Sequence, residues 1–118
     1  MDAQDSYKKS SYDLAAIIEN TYDGLYITDG SANTIMVNRA YERITGIKRE
    51  EILGKNMKEL VAAGTIDRSV SLEVIEKKKP VTIMQELRSG KKVMVTGSPV
   101  FDREKKEIVL VVTNVRDI

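Results

Sequence analysis

The amino-acid sequence predicts an α+β domain built on one five-stranded antiparallel sheet, and three patterns carry that expectation. Apolar residues recur at helical spacing before Gly24, and the period becomes two after Pro80. Between them the chain breaks into short segments, each closed by a glycine. With 118 residues the chain is long enough for one core and too short for two.

Residues 1–11 mix Asp, Gln, Ser and Lys without apolar periodicity, as a solvated tail does, so the domain is expected over 12–118. Leu14, Ile17, Ile18 and Thr21 or Tyr22 then fall at amphipathic spacing and predict a flanking helix over 12–22, stopped by Gly24. Leu25 to Thr28 is β-branched and aromatic. Asp29 to Asn33 is dense in turn residues, and Ile35 to Val37 is a second apolar run, which together read as a hairpin.

Asn38 stands at an N-cap position, able to accept an amide of the first turn, and Gly46 supplies a left-handed stop, so 39–45 is a short helix. Glu50 to Leu53 before Gly54, and Met57 to Ala63 before Gly64, repeat that pattern. Asp67 is placed to cap a longer helix running to Lys79, with Val70, Val74 and Ile75 on its buried side and Pro80 ending it. Val81, Ile83, Gln85 and Leu87 alternate with Thr82, Met84 and Glu86 as a strand does, and residues 88–91 form a tight turn. Val93 to Phe101 is the next strand and 102–106 a charged turn. The unbroken apolar run Ile108 to Val112 predicts a central strand covered on both faces.

Composition narrows the chemistry. Nineteen Lys and Arg stand against 18 Asp and Glu, a formal net charge of +1, which is no footprint for a nucleic acid, and no direct nucleic-acid binding is expected. The chain has no cysteine and no histidine, so disulfides, thiolate nucleophiles, cysteine-based metal centres and Ser-His triads are closed to it. Asp29 and Asn38 are accounted for as turn and cap residues, which leaves no convincing acid–base pair, no metal site and no expected enzyme activity. No apolar run approaches the roughly 20 residues that cross a bilayer, and the start lacks a signal-peptide core. The sequence therefore reads as cytoplasmic, with no membrane partner.

Several strings, in this order, resemble a PAS domain, the sensory module of many signalling proteins. They are GLYITDGSANTIMVNRAYERITG at 24–46, REEILGKN at 49–56, RSGKK at 88–92, SPVFD at 98–102 and VTNVRDI at 112–118. The phrasing of 14–60 is most similar to the PAS domains of sigma-54-dependent transcriptional activators and sensor histidine kinases. The resemblance implies strands A, B, G, H and I in the spatial order B-A-I-H-G, with short helices on one face. It also implies that Val115 to Ile118 leads toward a C-terminal effector, with Arg116 and Asp117 as a signal exit or simply as solvated ends.

Family geometry and period-two alternation together point Tyr26 and Thr28, Ile83, Gln85 and Leu87, Val93, Val95 and Gly97, and Val111, Thr113 and Val115 into the cavity. The candidate ligand-binding set is Tyr26, Thr28, Tyr41, Met57, Ile83, Gln85, Val95, Gly97, Thr113 and Val115. Tyr26, Thr28, Gln85 and Thr113 are polar in an apolar lining and need partners, either a small ligand or one another and buried water. Gly97, inside a strand, marks a bulge or a close approach by some other group. The flavin adduct of the photoactive branch needs a cysteine where Met57 follows Gly54-Lys55-Asn56, and haem-binding members generally use a histidine. Neither cofactor is expected here; a noncovalent flavin stays open, and no other cofactor is specified.

An eleven-residue helix is marginal alone, so Leu14, Ile17 and Ile18 must pack on something, and Leu25, Ile27, Leu110 and Val112 would make an apolar outer sheet face. These two features predict a homodimer through the flanking helix. The expected function is a sensor that binds a small molecule and relays the change to an effector. A ligand-free PAS domain that only dimerises is the alternative.

Overall fold

The computed structural model describes residues 11–118. The elements are α1 (Ser11–Asn20), β1 (Gly24–Asp29), β2 (Thr34–Val37), α2 (Arg39–Thr45), α3 (Arg49–Ile52), α4 (Met57–Ala62), α5 (Val70–Lys77), β3 (Val81–Glu86), β4 (Lys92–Phe101) and β5 (Ile108–Asp117). The expected tail, apart from Ser11, lies outside the described residues. The five strands form one sheet in the order β2-β1-β5-β4-β3, with all neighbours antiparallel. That is the order B-A-I-H-G, with β5, which carries the unbroken apolar run Ile108 to Val112, in the middle.

Alternation along the strands separates two faces. Tyr26, Thr28, Ile83, Gln85, Val93, Val95, Val111, Thr113 and Val115 are all buried beneath α2 to α5. The opposite face, with Leu25, Ile27, Leu110 and Val112, is only half-buried. The expectation that β5 is covered on both faces is therefore corrected. Among the described residues α1 does not lie over that face; with Ile35, Met36, Arg49 and Leu53 its residues Ala15, Ile18 and Glu19 line a cleft at the β2 edge of the sheet.

Local chemistry fixes most element ends. Asn38 caps α2 by accepting from Tyr41 N, and Gly46 closes it at φ 72°, a conformation that favours a residue without Cβ. Helix α5 departs from expectation at both ends. Its cap is Ser69, which accepts from Leu72 N, and it stops at Lys77 with Lys78 in the left-handed region at φ 58°. Asp67 does not cap because it is paired with strand β3: its N–H donates to Glu86 O at 3.0 Å, and its Oδ1 accepts from Glu86 N at 2.9 Å. A residue held as an extra rung of the sheet cannot also open a helix, so the helix begins at the next available hydroxyl.

Asn38 joins the N-terminal helix to the rest. Its buried Oδ1 accepts from Leu25 N at 2.8 Å and from Tyr41 N at 3.0 Å, and its Nδ2 donates to Ile18 O at 2.8 Å and Asp23 O at 3.2 Å. One carboxamide thus ties α1, the connector, β1 and α2. Around it, Arg49 holds Glu19 through contacts of 3.1 and 3.4 Å, and Arg43 donates to Tyr22 O at 2.6 Å while stacking 5.0 Å above the Tyr22 ring. Replacing Asn38 by alanine strands two N–H groups and two carbonyls at once. We expect Asn38→Ala to lose roughly 3 kcal/mol in urea denaturation, with faster amide exchange at Leu25 and Tyr41.

Candidate functional site

The inner face of the sheet is where polar chemistry meets the core. Strand register places Tyr26 directly opposite Thr113, and Thr113 directly opposite Gly97. A Cβ on Gly97 would stand 2.9 Å from Val74 Cγ2 and 3.2 Å from Val70 Cγ1. The missing side chain is thus what allows α5 to settle on the sheet, and the group that approaches this glycine is the helix itself. That docking leaves Ser71, on the first turn of α5, fully buried above the same row of strands.

Four side chains converge there. Burial pushes the Tyr26 phenol pKa up, and Ser71, Thr113 and Gln85 surround its hydroxyl closely enough to oppose that push in part. Yet Tyr26 Oη, Ser71 Oγ, Thr113 Oγ1 and Gln85 Oε1 are all buried without a hydrogen-bond partner. The Gln85 amide is oriented from its other end, where Nε2 donates to Arg68 O at 3.0 Å. Its oxygen is thereby left facing the cluster as an acceptor only. Four orphaned groups would cost about 1–3 kcal/mol each, so the cluster is satisfied either by small rotations that pair these neighbouring side chains with one another or by an occupant, water or a small molecule. Thr28 Oγ1 and Thr34 Oγ1, opposite one another in the β1–β2 pair, are further unpartnered hydroxyls on the same face.

Every residue of the sequence-derived ligand set is buried on this side of the sheet. Tyr26, Gln85 and Thr113 come together as a polar cluster, with Tyr41 packed edge-on against Tyr26 at a centroid distance of 5.5 Å and 78° between the rings. Met57, Ile83, Val95 and Val115 are apolar members of the same core, and Gly97 is occupied by α5. Thr28 lies one row further along β1. Sequence reasoning did not single out Ser71, although it sits four residues before Ile75 and beside Val70, on the flank of the helix face recognised as buried.

The proposed interface residues Leu14 and Ile17 are exposed, at 53% and 61%, while Ile18 is half-buried with its carbonyl bonded to Asn38. At the end of β5, Arg116 pairs with Asp23 at 3.4 Å and Asp117 with Lys91 at 3.3 Å. Lys91 Nζ also donates to Ile44 O at 2.7 Å, so the strand end is tied to α2 through one lysine.

Surface clefts offer less. A cleft of about 360 Å³ is lined by Asp67, Met84, Gln85, Glu86 and Lys92 at the β3 edge, and neither it nor the clefts of about 180–250 Å³ elsewhere is lined by Tyr26, Ser71 or Thr113. Among the described residues no group of three His, Cys, Asp or Glu is arranged to hold a metal, and no helix is long and apolar enough to cross a membrane. Asp29 belongs to its turn: Oδ1 accepts from Ser31 N and Asn33 N at 2.9 and 3.0 Å, and these amides hold its carboxyl below the ordinary range.

Burial raises the pKa of Tyr26 and of Tyr41, so both phenols stay protonated where free tyrosine ionises. The unfolded chain sheds those protons at about pH 10 while the folded chain keeps them. The stability they confer is therefore complete below that pH and falls as pH climbs above it. In an alkaline titration, we expect the tyrosinate absorbance of Tyr26 and Tyr41 to appear only with unfolding. Tyr26→Phe combined with Tyr41→Phe should flatten the alkaline loss of stability.

A family model described as PAS fold matches residues 12–118. Among solved structures, the PAS domain of an HTR-like protein from Haloarcula marismortui superposes with a TM-score of 0.65 at 18% identity, covering 98% of this chain and 97% of that one. The PAS domain of nitrogen regulation protein NR(II) from Vibrio parahaemolyticus gives 0.61 at 17% identity, over 89% and 97% of the two chains. A sensory box sensor histidine kinase from Vibrio cholerae gives 0.61 at 18%, over 98% and 96%. At these identities the likeness is one of fold. No curated protein matches the chain.

Proposed function

The chain belongs to the PAS family, and from that premise we propose that it is the sensory domain of a signalling protein, binding a small molecule at the Tyr26–Ser71–Gln85–Thr113 cluster. The observation that carries this reading is the convergence of four buried oxygens without partners in an otherwise apolar core. Its action is proposed to be binding and not catalysis, which accords with a chain that has no histidine and no cysteine and with no carboxylate buried among the described residues. A sensor histidine kinase or a sigma-54-dependent regulator is the kind of full-length protein to which it would belong; the histidine kinase and NR(II) neighbours favour the former.

The relay would run along β5. Thr113 touches the site, and three and four residues later Arg116 and Asp117 make the ion pairs that tie the strand end to Asp23 and Lys91. An occupant that moves Thr113 would change the balance between two packings of that strand end, and a C-terminal effector would read the shift. A second reading has its own support. Leu14 and Ile17 are exposed on α1, and the outer sheet face is apolar and half-covered, which fits a homodimer that needs no ligand.

Native mass spectrometry of the purified chain, compared with its denatured mass, separates the two. We expect an additional small mass that disappears on denaturation, and its loss in Gln85→Leu with the urea midpoint of the variant still that of a folded domain. A dimer that carries no additional mass would overturn the ligand reading in favour of dimerisation.

A further inference from the structure

We propose that the cleft between the end of α5, the β1–β2 turn and the β4–β5 turn docks an acidic segment of a partner protein, whose Asp and Glu side chains meet Lys78, Lys105 and Lys106. The cleft lies apart from the Tyr26 cluster and requires no ligand in the core.

Charge is the first observation. The cleft has a volume of about 250 Å³, and three lysines line it against a single acid, Glu107. Among the described residues neither Lys78, Lys105 nor Lys106 forms an ion pair, and the same holds for Lys79 and Arg103 beside them in the chain. The Asp102 carboxylate is engaged in its own turn, where Oδ1 accepts from Glu104 N and Lys105 N at 2.8 and 3.0 Å. At the other clefts the cations are matched. Arg39 and Arg49 hold Glu19, Arg43 covers the Tyr22 ring, and Lys92 shares the β3 edge with Asp67 and Glu86.

Backbone conformation is the second. Lys78 and Lys106 hold φ of 58° and 56°, the left-handed region in which a Cβ is strained. At Gly46, Gly54, Gly64 and Gly90 the chain meets the same demand with glycine. The other left-handed residue with a side chain among the described residues is the buried Ala32, so both exposed side chains carried on such backbone are lysines lining one cleft. Glycine would relieve the strain and remove the charge, and the strain is therefore borne by two positions whose side chains contribute a cation to the cleft.

The surface also limits the occupant. All three lysines are exposed, and Glu104 and Glu107 flank Lys105 and Lys106 in the turn, so a uniform polyphosphate or an anionic lipid surface would meet carboxylates as well as cations. A polypeptide can set acids against the lysines and apolar side chains elsewhere. The same hairpin offers the exposed Val100, Phe101 and Val109 for the latter.

The probe is a synthetic peptide of aspartate and glutamate with interspersed leucines, and its Asn and Gln counterpart is the neutral control. In amide-detected NMR titrations of the 118-residue chain, we expect saturable shifts at Gly30, Lys78, Lys105, Lys106 and Ile108 with the acidic peptide and none with the neutral one. Affinity should fall as salt rises from about 0.05 to about 0.5 M and the screening length contracts. Lys78→Gly combined with Lys106→Gly should weaken binding about tenfold, as two exposed charge pairs together can supply. The urea midpoint of that variant should stay the same or rise, because glycine suits both left-handed positions. Lys55→Gln combined with Lys58→Gln removes the same charge at α4 and should leave the affinity nearly unchanged, which separates a localised surface from net charge. The absence of saturable binding by the acidic peptide, equal binding of the neutral peptide, or equal weakening by the two double variants overturns the proposal. So do shifts of the same amides by a single-stranded oligonucleotide or by phosphatidylserine vesicles at least as strong as those given by the peptide.

Discussion

The carboxamide of Asn38 is the joint on which this domain is assembled. It sits between β2 and α2 in the chain, yet its four hydrogen bonds reach back to Ile18, Asp23 and Leu25 as well as forward to Tyr41. A helix of ten residues has little stability of its own in water, and α1 exposes Leu14 and Ile17 among the described residues. What fixes its C-terminal end is the capture of Ile18 O by Asn38, helped by the Glu19–Arg49 and Tyr22–Arg43 contacts. Because the same side chain caps α2, the position of α1 and the position of Tyr41 are set by one group.

That coupling bears on how the domain would work. Tyr41 packs edge-on against Tyr26, and Tyr26 lies opposite Thr113 on the central strand. The polar cluster is therefore two contacts away from Asn38 on one side, and one strand away from the Arg116 and Asp117 ion pairs on the other. Asp23 closes the circuit, since it accepts through its backbone carbonyl from Asn38 and meets both Asn114 and Arg116 through its carboxylate. The N-terminal helix and the end of β5 are thus joined at the surface as well as through the core. In the proposed sensor, Tyr26 and Thr113 are therefore joined to both ends of the domain by a few direct contacts.

Gly97 shows how a missing side chain can build a site. There α5 packs directly onto the sheet, and Ser71 of the same helix is buried beside Thr113 and Gln85. Had the position held alanine, Val70 and Val74 would have to retreat, and the Ser71 hydroxyl would leave the cluster with them. The polar cluster therefore depends on one glycine for its geometry and on three apolar strands for its dryness. Without that dryness the orphaned oxygens would simply be hydrated.

Sequence by itself determined the elements and the faces. Period-two alternation marked the buried positions of β3, and the family's geometry carried along by strand parity marked those of β4 and β5, because side-chain direction in a strand alternates residue by residue. Asn38 and Gly46 marked both ends of α2, because caps act within one turn of chain. The family's strand order was legible in the ordered strings from GLYITDG to VTNVRDI. Only the tertiary structure decided what depends on contacts between distant residues. Asp67 lost its cap to Ser69 because β3, nearly 20 residues later, claims it as an extra rung. Ser71 joined the site because a glycine in β4 lets its helix close in, and β5 is left half-open on its outer face because α1 is held at the sheet edge. Propensity and periodicity are properties of neighbours in sequence. Which orphaned oxygens meet in the core is a property of packing, and no local pattern records it.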